Sequence, residues 1–266
     1  GKCIELNCDP TGDFAHNPEP LPKNLSDLSE TVVREHADLG ISMDPDVDRL
    51  AFICENGEPF VEEYTLVSVA DYVLSRAKAD GVKNLVTVSN LSSSRALRDV
   101  TESYGGTYFA SAVGEVNATT LMHEKGAIIG GEGNGGVIYP AIHSGRDAMV
   151  GVALFLSNLA HKKMTVSELK KTYPEYHIAK NKIELSDKGL IDKILSELKV
   201  IYAHENVNDI DGVKISFEDK REWVHLRKSN TEPIIRIYSE APTEEEAVKL
   251  GEKVIAVAEK IISSAK

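Results

Sequence analysis

Three carboxylates at alternate positions in a turn started by proline, Asp44-Pro45-Asp46-Val47-Asp48-Arg49, stand between two apolar runs. The run before it, residues 37–41, and the run after it, residues 50–54, read as short strands. The turn thus converges its side chains on one small volume. At an effective dielectric of about 20, two bare carboxylates about 4 Å apart repel by roughly 4 kcal/mol. Three of them need a cation, and hard oxygen ligands without Cys or His point to Mg²⁺ or Ca²⁺ rather than zinc. The plain alternative is an acidic surface turn. An EF-hand matches in part, with Asp44, Asp46 and Asp48 at the first, third and fifth ligand positions and Glu55 at the twelfth. Its sixth position wants Gly for a sharp turn, whereas this chain has Arg49, and strands rather than helices flank the loop. A guanidinium beside carboxylates suits a place where a phosphoryl group sits, since its fork matches phosphoryl oxygens.

With 266 residues, 42% hydrophobic and 27% charged, the chain is an ordinary globular composition, long enough for two domains and a sizeable core. No apolar run approaches the ~18 residues that span a bilayer, so no membrane role is expected. The opening Gly1-Lys2-Cys3-Ile4-Glu5-Leu6 is no signal peptide and reads as a strand entered mid-course, which suggests a piece of a longer protein. Three scattered cysteines, Cys3, Cys8 and Cys54, suit reduced thiols in a cytoplasmic protein. A net charge of -12 argues against nucleic acid as a partner. A chain this acidic needs local cations wherever it handles a phosphorylated ligand.

Residues 1–60 read as an incomplete α/β unit: a strand at 4–7, a Pro- and Gly-rich loop over 9–22, and a helix over 24–36 with Asn24 as its N-cap. Residues 62–160 read as a second α/β unit. Helices are predicted over 66–79, 94–104, 117–124 and 147–160, and strands over 84–89, 107–112 and 127–129, an alternation that implies sheets with covering helices. After a short helix with a capping box from Thr165 to Glu168, the pattern changes. Strands at 177–184, 213–217, 223–227 and 234–239, with helices over 186–198 and 243–262, argue for an antiparallel α+β domain. The fold class is therefore two α/β units, the first incomplete, followed by an antiparallel α+β C-terminal domain.

Two further motifs carry chemistry. Gly130-Gly131-Glu132-Gly133-Asn134-Gly135-Gly136 formally contains the G-x-G-x-x-G fingerprint. That fingerprint needs a helix after it, and the strand-like Val137-Ile138-Tyr139-Pro140 follows instead. A glycine-dense turn with one carboxylate and one amide suits close approach to a polyhydroxylated ligand, with Glu132 accepting from hydroxyls and Asn134 both donating and accepting. A plain hairpin turn is the alternative. The second motif is Arg227-Lys228-Ser229-Asn230-Thr231-Glu232-Pro233 with Arg236 on the next strand, an anion nest of guanidiniums, hydroxyls and turn amides. Arg95, and His143-Ser144-Gly145-Arg146-Asp147, are each more in keeping with structural roles.

In this order the three loops resemble those of the α-D-phosphohexomutases, the family of phosphoglucomutase, phosphomannomutase and phosphoglucosamine mutase. The resemblance makes 1–60 the end of domain two with the metal loop, 61–160 the sugar-binding domain three, 161–175 a linker and 176–266 the phosphate-binding domain four. It implies an isomerase that shifts phosphoryl between C1 and C6 of a hexose through a bisphosphate, with hexose phosphate and hexose bisphosphate as ligands. Asp44, Asp46 and Asp48 would hold Mg²⁺ and Arg49 would steady the transferring group. Glu132 and Asn134 would grip sugar hydroxyls, while Arg227, Ser229, Asn230, Thr231 and Arg236 would hold the phosphate that stays. The family's phosphoserine lies in a Ser-His-Asn-Pro motif of an N-terminal domain that is missing here; Ala15-His16-Asn17-Pro18 has no hydroxyl to phosphorylate. Many members end the sugar loop in His where this chain has Gly136, place Ser at the Asn134 position, and carry a basic residue after the turn that here reads Gly114-Glu115-Val116-Asn117. The chain by itself is expected to bind ligand without turnover. Phosphoglucosamine mutase is the neighbouring reading. A non-catalytic phosphosugar- or Ca²⁺-binding module and a metal-dependent phosphatase are readings from other classes.

Overall fold

The computed structural model describes residues 1–184, 188–229 and 233–264. It comprises two compact units, one of Gly1–Ser89, Leu97–Phe109 and Gly114–Tyr173, the other of Asn90–Ala96, Ala110–Val113 and Pro174–Lys266.

In the first unit, α1 (Ser26–Arg34) leads into β1 (Leu39–Met43), the acidic turn and β2 (Leu50–Cys54). The two strands pair antiparallel, with Met43 opposite Leu50, so the turn is a hairpin connection. β2 is Leu-Ala-Phe-Ile-Cys and buried throughout, as an unbroken apolar run predicts for a strand covered on both faces. Next come α2 (Glu62–Ala79), β3 (Val86–Asn90), α3 (Ala96–Ser103), β4 (Thr107–Ser111) and α4 (Glu115–Lys125). They are followed by β5 (Ile129–Glu132), β6 (Gly136–Ile138), α5 (Ala148–Lys162) and α6 (Val166–Lys170). Four strands make a sheet in the order β4-β3-β5-β6, parallel between β3 and β5 and antiparallel between β5 and β6.

Aromatic packing ties α5 to β2. Phe155 on α5 stacks on Phe52 of β2 at 3.7 Å between centroids and meets Phe60 edge-on at 5.0 Å, all three rings being buried. The first turn of α5 is fixed by Asp147, whose Oδ1 accepts the Val150 N–H at 2.9 Å while its own N–H donates to the Val137 carbonyl at 2.8 Å. Asp147→Ala is expected to lower unfolding stability by about 1 kcal/mol, the usual worth of an N-cap carboxylate. An unchanged urea midpoint would show that the cap contributes nothing.

The second unit contains β7 (His177–Glu184), α7 (Lys188–Ile201), β8 (Asn206–Asn208), β9 (Val213–Phe217), β10 (Glu222–Lys228), β11 (Ile234–Ala241) and α8 (Glu244–Ser264). Its sheet runs β7-β11-β10-β9-β8, each neighbouring pair antiparallel. Alternate residues Val224, Leu226, Ile235 and Ile237 point to one face. There they meet Ile191, Ile194 and Leu198 of α7 and Leu250, Val254 and Ala258 of α8, spaced as one stripe of a helix. The molecule is thus α/β followed by antiparallel α+β.

The structure corrects several local expectations. Residues 4–7 join no sheet among the described residues, and Ile4 is 40% exposed; two apolar side chains flanking a glutamate form no strand without a ladder partner. Asn24 does not cap α1. The cap position is Leu25, and the Asn24 amide donates to the Glu19 carbonyl at 2.8 Å, which anchors the preceding loop. The strand expected at 127–129 lies at Ile129–Glu132, so the first glycines of the glycine run are strand rather than loop. β8 carried no signal, being three polar-flanked residues at a sheet edge.

Candidate functional site

The acidic turn is shaped by its own carboxylate. Asp44 Oδ1 accepts the N–H groups of Asp48 at 3.0 Å and Arg49 at 2.9 Å, closing the loop as an aspartate competing for backbone donors does. Val47 is held at φ 56°, a left-handed conformation that a β-branched residue adopts only under constraint. Part of that constraint is the bond from the Ala148 N–H of α5 to the Val47 carbonyl, at 3.0 Å. The glycine hairpin joins from the other side, with the Leu50 N–H donating to the Gly135 carbonyl at 3.2 Å. A Cβ at Gly135, which sits at φ 87°, would collide with the Leu50 backbone, so the contact between the two loops requires glycine there.

The predicted residues divide. Asp44 and Asp48 come together, whereas Asp46 is exposed; among the described residues no set of three or more His, Cys, Asp or Glu is close enough to hold a metal ion. Asp48 Oδ1 is buried without a hydrogen-bond partner, as is Arg49 Nε, 3.9 Å away. Burial first, and then the Asp44 carboxyl, push the Asp48 carboxyl above the usual range against the pull of Arg146 and Arg49. Two carboxylates with one orphaned buried oxygen fit a hard cation such as Mg²⁺ only where water or a phosphate completes its coordination. Arg49 also reaches Glu19 at 3.4 Å. That residue follows Ala15-His16-Asn17-Pro18, an exposed segment.

Glu132 ends β5 and is buried. Its Oε1 accepts the Gly114 N–H at 3.0 Å, and its Oε2 pairs with Arg146 at 2.9 Å. Asn134 turns its Oδ1 onto the Gly136 N–H at 3.2 Å. β5 and β6 pair antiparallel with Glu132 opposite Gly136, so the glycine run is a hairpin and no helix N-terminus meets a pyrophosphate there. Arg146, read from sequence as structural, lies at the centre. Besides Glu132 it pairs with Asp48 at 2.5 Å and with Glu115 at 3.0 Å. Its signal was its place just before the N-cap Asp147, which puts it beside the glycine hairpin.

In the second unit, Arg227 and Arg236 stand directly opposite each other on β10 and β11, both half-buried. Arg227 approaches Asp211 at 3.6 Å, and Gly212 at φ 73° allows that loop to lie against Leu226 and Arg227 where a Cβ would collide. Ser229 is buried, and its N–H donates to the Ile234 carbonyl at 3.0 Å. Asn230 and Thr231 lie outside the described residues. Arg95 is structural: its guanidinium pairs with Glu218 at 2.7 Å and its N–H donates to Glu240 at 2.9 Å.

Three family models match the chain in order. Residues 1–57 match phosphoglucomutase/phosphomannomutase alpha/beta/alpha domain II, residues 62–176 match domain III, and residues 181–257 match the C-terminal domain. The chain is 37% identical over 260 residues to a Thermococcus kodakarensis protein named "Phosphoglucomutase/phosphomannomutase", covering 96% of this chain and 55% of that one. It is 32% identical to a Methanopyrus kandleri protein named "Probable phosphoglucosamine mutase", covering 97% and 56%. A crystal structure of a phosphoglucomutase/phosphomannomutase family protein from Burkholderia thailandensis superimposes with a TM-score of 0.80 at 24% identity, covering 96% of this chain and 55% of that one. The chain thus spans a little over half the length of these relatives. Acidic turn, glycine hairpin and basic strand pair, in that order and in three consecutively matched domains, place this chain in the phosphoglucomutase/phosphomannomutase family.

Proposed function

We propose that these 266 residues form the metal-, sugar- and phosphate-binding portion of a phosphohexomutase, which moves phosphoryl between C1 and C6 of a hexose through a bisphosphate. The observation that carries this reading is the junction of acidic turn and glycine hairpin through Arg146, which brings a cation-seeking carboxylate and a hydroxyl-seeking one to a single guanidinium. Asp44 and Asp48 would hold Mg²⁺, with Asp46 turning in from its exposed position, and the ion would supply positive charge to offset phosphoryl oxygens. Arg49 steadies the group in transfer. Glu132, still paired with Arg146, and Asn134, freed from the Gly136 N–H, take sugar hydroxyls, and Arg227, Ser229, Asn230, Thr231 and Arg236 grip the other phosphate. The substrate class is glucose or mannose phosphate, with glucosamine phosphate the alternative carried by the relatives' names. Three free cysteines suit a reducing cytoplasm, and among the described residues no helix is long and apolar enough to cross a membrane.

Calorimetry on this chain tests the reading. With Mg²⁺ present, a hexose phosphate is expected to bind, and a mutase assay with added hexose bisphosphate to show no turnover, because these 266 residues contain no Ser-His-Asn-Pro motif to carry the phosphoserine. A Ca²⁺ module would prefer Ca²⁺ and ignore hexose phosphate, and a phosphatase would release inorganic phosphate. Either result sinks the proposal.

A further inference from the structure

Arg146 pairs with three carboxylates drawn from three elements: Asp48 of the acidic turn at 2.5 Å, Glu115 at the start of α4 at 3.0 Å, and Glu132 at the end of β5 at 2.9 Å. Its side chain is 14% exposed, so the pairs are poorly screened and a rim role is ruled out. Its placement is enforced twice. The Arg146 N–H donates to Glu115 Oε1 at 3.3 Å, and the aliphatic stem fills the space a side chain at Gly136 would need. Arg49 joins the cluster 3.9 Å from Asp48 and 3.8 Å from Asp44, and the four carboxylates still outnumber the two guanidiniums, which leaves negative charge for a cation to offset. The other carboxylate oxygen of Asp48 is buried with no hydrogen bond, only the Arg49 guanidinium 3.9 Å away, while the other Glu132 oxygen already accepts from Gly114.

Resting on the phosphohexomutase reading, we propose that Arg146 is a positioning residue with two states. Without a divalent cation it serves as counter-ion to Asp48 and locks the acidic turn to the glycine hairpin. When a cation takes Asp48, the guanidinium stays on Glu132 and Glu115 and sets the Glu132 carboxylate for sugar hydroxyls. Cation binding thus competes with one of its ion pairs, and sugar binding depends on the other two. Removing the Arg146 charge therefore moves the two affinities in opposite directions, which no general loosening of the loops would do.

The test is calorimetry with MgCl₂, and separately with a hexose 6-phosphate in saturating Mg²⁺, on the complete chain and two variants. Arg146→Met removes the competing charge and is expected to bind Mg²⁺ at least tenfold tighter and the hexose phosphate at least tenfold more weakly. Arg146→Lys keeps the charge but not the three-way fork, so Mg²⁺ affinity stays within about threefold of the parent while sugar affinity still falls. Unchanged Mg²⁺ affinity in Arg146→Met, or a parallel loss of both affinities in Arg146→Lys, overturns the proposal. If the parent chain ignores hexose phosphate while Arg146→Met still tightens Mg²⁺, the phosphohexomutase reading fails and the competition for Asp48 stands.

Discussion

Glu240→Gln is expected to turn a nearly level stability profile between pH 4.5 and 6.5 into one that climbs with pH. Glu240 is fully buried on β11, where Trp223 Nε1 at 2.5 Å and the Arg95 N–H at 2.9 Å donate to its Oε1, with Lys214 and the Ser94 hydroxyl nearby. Burial outweighs these partners and pushes its carboxyl up from 4.5 to about 7. His225, on the adjacent strand, goes the other way. Its Nε2–H donates to the Asp211 carbonyl at 2.6 Å and its Nδ1 accepts from the Ser92 hydroxyl at 2.9 Å, the pattern of a neutral ring. Burial, with Lys214 and Arg227 adding to it, lowers its pKa from 6.5 to about 4.

The signs follow from which state binds the proton more tightly. The folded state favours protonated Glu240, so its contribution is complete below pH 4.5 and is lost as pH rises to about 7. The folded state disfavours protonated His225, so that contribution is complete above pH 6.5 and is lost as pH falls to about 4. Each shift corresponds to roughly 3 kcal/mol. Over their common window the slopes oppose and nearly cancel. Glu240→Gln should expose the histidine slope, with stability rising by up to about 3 kcal/mol from acid to neutral pH relative to the parent. His225→Gln, which keeps a donor for the Asp211 carbonyl, should show the reverse slope. Trp223 is the sole tryptophan and lies in this unit, so its fluorescence in urea reports the unit directly. Profiles that run parallel in parent and variants would refute the opposition.

Neither group announced itself in the sequence. An isolated Glu or His in a strand reads as solvent-facing until the segment covering it is known, and here that cover includes residues 90–96, about 130 positions upstream of His225. What was legible were features whose physics is local. The acidic turn between apolar runs, the Thr165 to Glu168 capping box and the glycine hairpin ahead of a strand all appear where expected, because each depends on neighbours within a few residues. Asp46 shows the limit of spacing alone. Alternation placed three carboxylates on one turn, but Asp44 spends an oxygen on backbone donors and Val47 takes a left-handed conformation, which leaves Asp46 exposed. Arg146 was undervalued for the same reason. Its three partners come from positions 48, 115 and 132, and no local pattern links them.

Inorganic phosphate is expected to stabilise the second unit, and that effect should vanish in the double variant Arg227→Gln, Arg236→Gln. The two arginines are direct cross-strand partners, and directly opposed side chains in an antiparallel pair have Cβ atoms about 4.5–5.5 Å apart. Like charges so placed destabilise a sheet, an effect that Asp211, 3.6 Å from Arg227, reduces. An anion bridging both guanidiniums converts the repulsion into two charge-assisted contacts, so the folded unit binds it and the unfolded chain, with the arginines apart, does not. At phosphate a hundredfold above its dissociation constant the gain is about 2.7 kcal/mol, read as a higher urea midpoint by Trp223 fluorescence. Sodium chloride at matched ionic strength separates this from screening, which would relieve the repulsion by a smaller amount in the parent alone. Arg146→Met, altered in the other unit, should retain the full phosphate effect. If phosphate stabilises parent and double variant equally, the strand pair is not an anion clamp.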